Sequence, residues 1–167
     1  MTTDLKDKAA VEAKLWAEIG DSRTGMLAPI RAPQDHLQPM TAYPEPESRT
    51  LWFYARAGSD LAVTCQVGTH AMFVFVSRDG EMQASIHGEL RTTVDELHRD
   101  KYWSSTVGAW YPKGKADPQL VMLRFSCADA QIWISEVGGV KFGWEIAKAN
   151  LTGSRPEIGG MVSLSLD

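Results

Sequence analysis

The residues best suited to holding a ligand lie in three neighbouring stretches of the chain. They are Leu37 to Thr41, the aromatic run Leu51 to Ala55, and the turn Ser59 to Leu61. An aromatic strand offers a flat apolar wall, and a capped helix that begins directly after it offers backbone N–H groups at the positive end of the helix dipole. This combination suits a planar ligand that carries phosphate.

A purely structural explanation accounts for the same residues. Trp52 and Tyr54 alternate with Phe53 and can form the two faces of a barrel strand, while Ser59 can simply cap the next helix. The residue pattern alone leaves both interpretations open.

The sequence lacks the common catalytic motifs. It has no Gly-x-Ser-x-Gly nucleophile elbow, no Gly-x-x-x-x-Gly-Lys-Ser/Thr phosphate loop and no Gly-x-Gly-x-x-Gly dinucleotide fingerprint. We therefore assign no catalytic residue. The histidines at positions 36, 70, 87 and 98 share no zinc-like spacing with one another or with Cys65 and Cys127, so we expect no metal site.

Composition narrows the class of protein. The chain has 167 residues, of which 44% are hydrophobic and 23% charged, as expected for one globular domain. Its net charge of −4 and the lack of a Lys/Arg cluster argue against nucleic acid as a partner. The polar start predicts no export signal, and no apolar run is long enough to cross a membrane, so we expect a cytoplasmic protein whose two cysteines are free thiols.

Short strands joined by turn signals make up most of the chain. The strongest hairpin signal is Arg78-Asp79-Gly80 between two β-rich runs, and Gly88 predicts a bulge or kink in the second run. Pro44 to Ser48 is predicted to be a loop, because each proline removes a donor from a strand ladder. The predicted strands cover residues 25–30, 37–43, 50–56, 70–77, 81–88, 119–126, 131–137 and 161–166.

Helices are few and peripheral. The first is predicted over about residues 4–19, capped by Thr3 and ended by Gly20. Shorter helices are predicted over residues 61–67, from about 95 to 101, and over 144–149. The whole pattern predicts a single domain, residues 1–167, that is mainly β: an antiparallel, closed or nearly closed barrel with peripheral helices.

Several motifs occur in an order and spacing that are typical of one known family. They are Trp16 in the opening helix, Pro39-Met40, Leu51-Trp52-Phe53, the segment Ser85 to Leu90 around Gly88, Ala109 to Gly114 with Asp117-Pro118, and Ala130 to Trp133. In this order they resemble the pyridoxamine 5′-phosphate oxidase-like FMN-binding split barrels, and within them the general stress protein branch. The resemblance covers about residues 15 to 166.

The resemblance implies a split β-barrel that forms a homodimer, with FMN in clefts that both subunits touch. It further implies which residues hold the cofactor. Gln38, Pro39, Met40, Thr41, Phe53, Tyr54 and Ala55 would line the flavin ring and ribityl chain; Ser59, Asp60 and Leu61 would approach the phosphate; and Trp110 would come from the partner subunit.

Two residues depart from the family pattern at the implied phosphate site. Gln38 stands where such proteins commonly have an arginine, and Leu61 where they commonly have a lysine. Charge-assisted hydrogen bonds are about twice as strong as neutral ones, so FMN binding is expected to be weak or absent. The carboxylate of Asp60 would add repulsion unless it caps the helix. Among the arginines, 31, 49 and 56 are candidates to compensate.

These residues lead to three hypotheses about function. The first is an FMN-dependent oxidoreductase, in which the protein positions and tunes the flavin. The second is a non-catalytic module that binds or senses flavin or another planar ligand through a degenerate phosphate site, and the third is a dimer with an empty cleft. Oxidation of pyridoxamine phosphate itself is not expected, because Arg155 stands alone beside Glu157 near the C-terminus.

Dimerisation has a second basis in the residues. Trp103, Trp110 and Tyr111 flank a Gly/Pro-rich loop, and such aromatic density is common at protein interfaces. The alternative is that these rings form a local core under the loop.

Overall fold

The computed structural model describes residues 4–30, 36–135, 139–155 and 159–167, with the backbone alone at 139–142. The strands are β1 (Thr24–Pro29), β2 (Gln38–Thr41), β3 (Tyr43–Glu45), β4 (Thr50–Arg56), β5 (Thr69–Val76), β6 (Met82–Thr93), β7 (Leu120–Ile134) and β8 (Gly160–Ser165). The helices are α1 (Lys8–Ser22), α2 (Asp60–Thr64), α3 (Glu96–Tyr102), α4 (Ser105–Gly108) and α5 (Gly139–Thr152). Two 3₁₀ turns cover Pro46–Ser48 and Gly114–Ala116.

All the strands belong to one antiparallel sheet. Its order is β2-β1-β5-β6-β7-β4-β3, and β8 pairs with the C-terminal half of β7. The sheet forms the half-barrel of a mainly-β split barrel, which confirms the predicted fold class. The two ends of the strand order are β2, which contains Pro39, and β3, which contains Pro44.

The core lies on the inner face of the sheet, as strand alternation requires. Phe53 on β4, Phe73 on β5 and Phe125 on β7 are all fully buried there. Helix α1 closes this core with Val11, Leu15, Trp16 and Ile19. On the outer face of β4, Trp52 and Tyr54 belong to a second, smaller hydrophobic cluster. Strand β4 therefore contributes side chains to both clusters.

Helix α1 differs from its predicted bounds at both ends. It begins after Asp7, whose side chain accepts a hydrogen bond from the Ala10 N–H at 3.1 Å, whereas the predicted cap Thr3 lies outside the described residues. It continues through Gly20 to Ser22, so the predicted stop at Gly20 is wrong. Arg23 adopts the left-handed conformation instead, with φ of 58°, and its N–H donates to the Ile19 carbonyl.

The segment Pro44 to Ser48 was predicted to be a loop, and this prediction is only partly right. Pro44 and Glu45 belong to β3, and Pro44 lies opposite Leu51 of β4. A proline is tolerated there because β3 is an edge strand, where a missing N–H removes no ladder bond. Pairing of β3 with β4 places Glu45 opposite Thr50 and so fixes its position.

The predicted strands 119–126 and 131–137 are one continuous strand, β7. The residues between the two predicted strands, 127–130, continue the strand because β7 changes its pairing partner there. It pairs with β4 before Cys127 and with β8 after Ala128. The strand ends at Ile134, and residues 136–137 lie outside the described part. The helix predicted over 144–149 is also longer than expected, since α5 covers Gly139–Thr152.

Other elements agree closely with the sequence. The β1–β2 hairpin and the β5–β6 hairpin are confirmed, and β4 has its predicted bounds. Ser59 caps α2 and Asp95 caps α3. No helix within the described ranges is long and apolar enough to cross a membrane.

Gly88 occupies the bulge that the sequence predicts. The register between β6 and β7 shifts between His87 and Gly88, leaving Ala128 as the extra residue on β7. A Cβ atom at position 88 would lie 2.1 Å from the Ser126 carbonyl oxygen, a distance that only a backbone shift could relieve. The bulge therefore requires glycine for space.

We expect Gly88→Ala to lower the free energy of unfolding by about 2 kcal/mol or more, because the sheet must shift to accept the methyl group. Urea unfolding followed by circular dichroism measures the change. The matched control is Gly58→Ala, since a Cβ atom there would meet nothing within 4 Å. Equal midpoints for the two variants would contradict this account of the bulge.

Candidate functional site

A cavity of about 460 Å³ opens beside the C-terminal end of β4. This volume lies within the usual range for small-molecule sites. Its described lining residues belong to β2, the start of β3, the end of β4, the start of α2, and α4 with the loop that follows. The lining residues are Gln38, Pro39, Met40, Thr41, Tyr43, Tyr54, Ala55, Arg56, Ser59, Leu61, Thr106, Val107, Trp110 and Tyr111.

The structure brings most of the predicted site residues to this cavity. All four predicted residues of β2 line it, as do Tyr54, Ala55, Ser59, Leu61 and Trp110. The three stretches that the sequence singled out thus meet in space. β2 lies at one end of the strand order and β4 next to the other end, and the curved sheet brings these two strands into contact.

Phe53 and Asp60 lie elsewhere. Phe53 is fully buried in the inner core, where its ring centroid is 5.6 Å from that of Phe73. Asp60 is exposed and does not line the cavity. Strand alternation accounts for Phe53, because its neighbours Trp52 and Tyr54 occupy the other face of β4.

Trp110 lines the cavity of its own chain and is 75% exposed. The family resemblance had implied that this residue serves the partner's cleft. Trp103 and Tyr111, by contrast, pack into a local core, and Tyr111 is only 5% exposed. The exposed aromatic surface of this loop is therefore that of Trp110.

Ser59 uses its hydroxyl group in local backbone contacts. Its Oγ accepts a hydrogen bond from the Ala62 N–H at 3.3 Å and donates one to the Arg56 carbonyl at 2.8 Å. These contacts fix the turn between β4 and α2, as the capping interpretation predicts. This turn places Arg56 and Leu61 at the cavity.

Arg56 sets the charge of the cavity. Among the described residues that line it, Arg56 alone carries a formal charge. No carboxylate of the described chain forms an ion pair with its guanidinium, whereas Arg49 pairs with Glu12 at 3.0 Å. Arg31, the third candidate cation, lies outside the described residues. The cavity is therefore mostly apolar and neutral with one positive side chain.

An outer aromatic cluster lies behind the cavity. It comprises Tyr43, Trp52, Val107, Tyr111 and Met122, with Tyr54, Tyr102, Trp103 and Leu120 packed against it. The Tyr43 ring stacks on Tyr102 at 4.9 Å and meets the edge of Tyr54 at 5.5 Å. Burial raises the pKa values of Tyr43 and Tyr54, so both phenols stay neutral at ordinary pH.

Tyr111 joins this cluster to the charged end of the cavity. Burial raises the pKa of Tyr111, and the charge of Arg56 partly offsets that effect. The phenol is therefore a neutral hydrogen-bonding group close to the arginine. Sequence reasoning placed Tyr111 either at an interface or in a local core and not at a cavity, and it gave no sign that Thr106 and Val107 approach β2 and β4.

Glu45 is the polar centre of the outer aromatic cluster. Its carboxylate accepts hydrogen bonds from Trp52 Nε1 at 3.1 Å and from the Tyr102 hydroxyl at 2.9 Å, and it pairs with Lys101. His98 Nε2 lies 3.3 Å from the same carboxylate. Burial raises the pKa of Glu45, but the contacts with Lys101, Tyr102 and Trp52 outweigh it and hold the pKa at about 2.

Comparison with known proteins assigns the chain to a family. A family model described as pyridoxamine 5′-phosphate oxidase like matches residues 10–157. The chain belongs to the pyridoxamine 5′-phosphate oxidase-like family. No curated protein matches this pyridoxamine 5′-phosphate oxidase-like chain.

Solved structures support the same family. A protein from Jannaschia sp. CCS1, assigned as a general stress protein 26, is 32% identical, with 94% of this chain and 99% of that one covered and a TM-score of 0.80. The general stress FMN/FAD binding protein of Xanthomonas citri is also 32% identical, with coverage of 78% and 93% and a TM-score of 0.73. A protein from Clostridium acetobutylicum related to general stress protein 26 is only 12% identical at a TM-score of 0.67, and it shows the fold alone.

The described residues that line the cavity of this pyridoxamine 5′-phosphate oxidase-like protein form no arrangement typical of acid–base or metal catalysis. No histidine, carboxylate or cysteine appears among its described lining residues. Across the described part of the chain, no group of three or more His, Cys, Asp or Glu side chains could hold a metal ion. What the site offers is an apolar, aromatic enclosure with one cation.

We expect Glu45→Gln to destabilise the protein by roughly 1 to 3 kcal/mol at neutral pH, because a charged acceptor of several hydrogen bonds becomes neutral. A carboxyl whose pKa is lowered on folding stabilises the protein above its unfolded-state pKa. That stabilisation is lost as pH falls through the folded-state value. The gap between wild type and variant should therefore close between pH 4.5 and about 2.

Urea midpoints measured over this pH range check the expectation. Glu47→Gln is the matched control, because Glu47 is exposed in the adjacent 3₁₀ turn. A gap between wild type and Glu45→Gln that stays constant down to pH 2 would show that the carboxylate charge contributes nothing.

Proposed function

We propose that this protein binds FMN in the cavity beside β4. The observation that carries the proposal is the combination of aromatic walls with the cation Arg56, which no carboxylate of the described residues pairs with, in a cavity of suitable volume. Tyr54, Trp110 and Tyr111 supply ring contacts for a planar ligand. The FMN/FAD binding protein of Xanthomonas citri, 32% identical to this chain, supports the choice of ligand.

The residues present fit a flavin phosphate, though through a different cation from the one expected. Gln38 and Leu61 offer no charge, while Arg56 lines the cavity beside Ser59, whose Oγ donates to the Arg56 carbonyl at 2.8 Å. A guanidinium can donate two parallel hydrogen bonds to a phosphate group. We therefore assign the phosphate to Arg56, with the neutral hydroxyl of Tyr111 beside it.

Bound FMN would supply redox chemistry, and we propose an oxidoreductase role on that basis. The chain's own part is to bind and orient the ring and to keep water from one side of it. A non-catalytic binding module is the second candidate, and the neutral side chains of Gln38 and Leu61 favour it because they predict weaker retention of the cofactor. Turnover with reduced nicotinamide separates the two.

Arg56→Ala is expected to weaken FMN binding roughly 10- to 100-fold, the effect of losing one hydrogen bond to a charged group. Gln38→Arg is expected to tighten it roughly tenfold, because a second cation joins the same cavity. Quenching of flavin fluorescence during titration measures both. Visible absorption after removal of free ligand then shows whether the cofactor is retained.

The control for this titration is Arg78→Ala, an exposed arginine that pairs with Asp21 far from the cavity. An affinity unchanged in Arg56→Ala but reduced in Arg78→Ala would remove Arg56 from the site. A wild-type chain that binds neither FMN nor riboflavin would refute flavin binding altogether.

We also propose that the protein is a homodimer whose interface includes Trp110. This residue is 75% exposed beside the cavity mouth, and buried tryptophans are frequent anchors of interfaces. Sedimentation at micromolar concentration should show a dimer, and Trp110→Ala should shift it toward monomer. Trp144→Ala, on α5 and 68% exposed, is the control that should not. A monomeric wild type would refute the proposal.

A further inference from the structure

Residues 96–111, called here the wall segment, form one side of the cavity. They contain α3 and α4 and supply Thr106, Val107, Trp110 and Tyr111 to its lining. These four residues lie in or after α4, whereas no residue of α3 is among the described lining residues. The contacts that fix the wall segment to the sheet therefore also fix this side of the cavity.

Helix α3 lies on the sheet with little apolar burial. It has no buried residue, and the side chain of Leu97 is 74% exposed. The Tyr102 hydroxyl donates to the Glu45 carboxylate at 2.9 Å, and the Tyr102 ring stacks on Tyr43 with centroids 4.9 Å apart. These contacts hold a side chain, which can rotate about its own bonds, and they do not by themselves fix the backbone of the helix.

A side chain of β4 contacts the backbone of α3 directly. The hydroxyl of Tyr54 donates a hydrogen bond to the Arg99 carbonyl at 2.5 Å. Arg99 lies in the last turn of α3, where carbonyl groups run out of N–H partners within the helix. Burial raises the pKa of Tyr54, so the hydroxyl keeps its proton and stays a donor at ordinary pH.

The ring of Tyr54 has two further contacts. It lines the cavity, and it meets the ring of Trp103 in an edge contact with centroids 6.2 Å apart. Trp103 is the residue that follows α3. A single side chain thus touches the ligand space, the last turn of α3 and the residue after that helix.

Trp103 connects the end of α3 to the lining residues. Its ring lies against Gly108 of α4, where a Cβ atom would be 3.3 Å from Cζ2 of the indole. The same ring lies beside Tyr111, with centroids 6.4 Å apart. Val107 and Tyr111 are buried in the outer aromatic cluster and line the cavity. A shift of the end of α3 therefore also shifts these lining side chains.

We propose that Tyr54 is a positioning residue for the ligand cavity: its hydroxyl fixes the end of α3, and through Trp103 this places the lining residues of α4 and of the loop after it. For its ligand, the proposal rests on the proposed function. Removing the hydroxyl leaves the aromatic ring at the cavity and deletes only the hydrogen bond to α3. The flavin ring, which the wall segment contacts, should then be held less tightly.

Hydrogen exchange of the protein without ligand tests the attachment itself. Amides of the wall segment should exchange about three- to tenfold faster in Tyr54→Phe than in wild type, the change expected for one neutral hydrogen bond. Amides of the β5–β6 hairpin are the internal reference. Tyr43→Phe is the matched control, because it removes from the same cluster a hydroxyl that forms no hydrogen bond with another described residue. The wall segment should exchange in this control as in wild type.

Titration with riboflavin and FMN tests the consequence for the cavity. Riboflavin carries the flavin ring without the phosphate group, so it reports on the ring site alone. Its affinity should fall about three- to tenfold in Tyr54→Phe. Arg56→Ala should instead lower the affinity for FMN and leave that for riboflavin close to wild type. The two variants therefore separate positioning of the wall segment from phosphate binding.

Wild type offers a second readout that needs no substitution. Because α3 contributes no described lining residue, a bound flavin affects it through the residues that connect it to the cavity. Coupling is reciprocal, so saturating riboflavin should slow the exchange of amides in residues 96–102. This protection should be smaller in Tyr54→Phe.

The outcomes separate failure of the positioning role from failure of flavin binding. Equal exchange of the wall segment in wild type and Tyr54→Phe would overturn the positioning role, as would faster exchange with an unchanged riboflavin affinity. Faster exchange that extends equally to the β5–β6 hairpin would show general destabilisation and overturn it too. If wild type binds neither flavin while exchange responds as expected, flavin binding fails and the attachment of α3 by Tyr54 stands. Should Tyr54→Phe fail to fold, the effect of riboflavin on α3 in wild type decides the outcome.

Discussion

Strand β7 is 15 residues long and is paired along both of its edges, with β6 on one side and with β4 and then β8 on the other. The change of partner from β4 to β8 coincides with the bulge opposite Gly88, where the sheet can bend. β4 therefore lies at a fixed register beside β7, and its last residues reach the edge of the sheet. The cavity forms where that edge meets β2, α4 and the loop after α4.

Alternation along β4 then divides the molecule into two chemical layers. Phe53 points into the inner core, while Trp52 and Tyr54 belong to the outer aromatic cluster with Tyr43. The inner layer is uniformly apolar and needs no charge. The outer layer is mostly aromatic, and its Trp52 and Tyr102 depend on Glu45 to accept hydrogen bonds that would otherwise lack a partner.

The sequence predicted the parts that depend on local patterns. The hairpins, the bulge at Gly88 and the cap at Ser59 follow from turn chemistry and periodicity, and the lining residues of β2 followed from the family motifs. The continuity of β7 and the strand character of Pro44 were missed, because both depend on which strand lies alongside. Arg56 could be named only as one of three arginines, since nothing local shows which one faces the cavity.

Both terminal strands of the sheet carry a proline, Pro39 in β2 and Pro44 in β3. A proline offers no N–H to an incoming strand, so each of these edges resists the edge-to-edge addition that leads to aggregation. Pro39, which lines the cavity, thus also protects the chain against cross-β growth. Replacing Pro39 to reshape the cavity would therefore also make the chain more prone to aggregate.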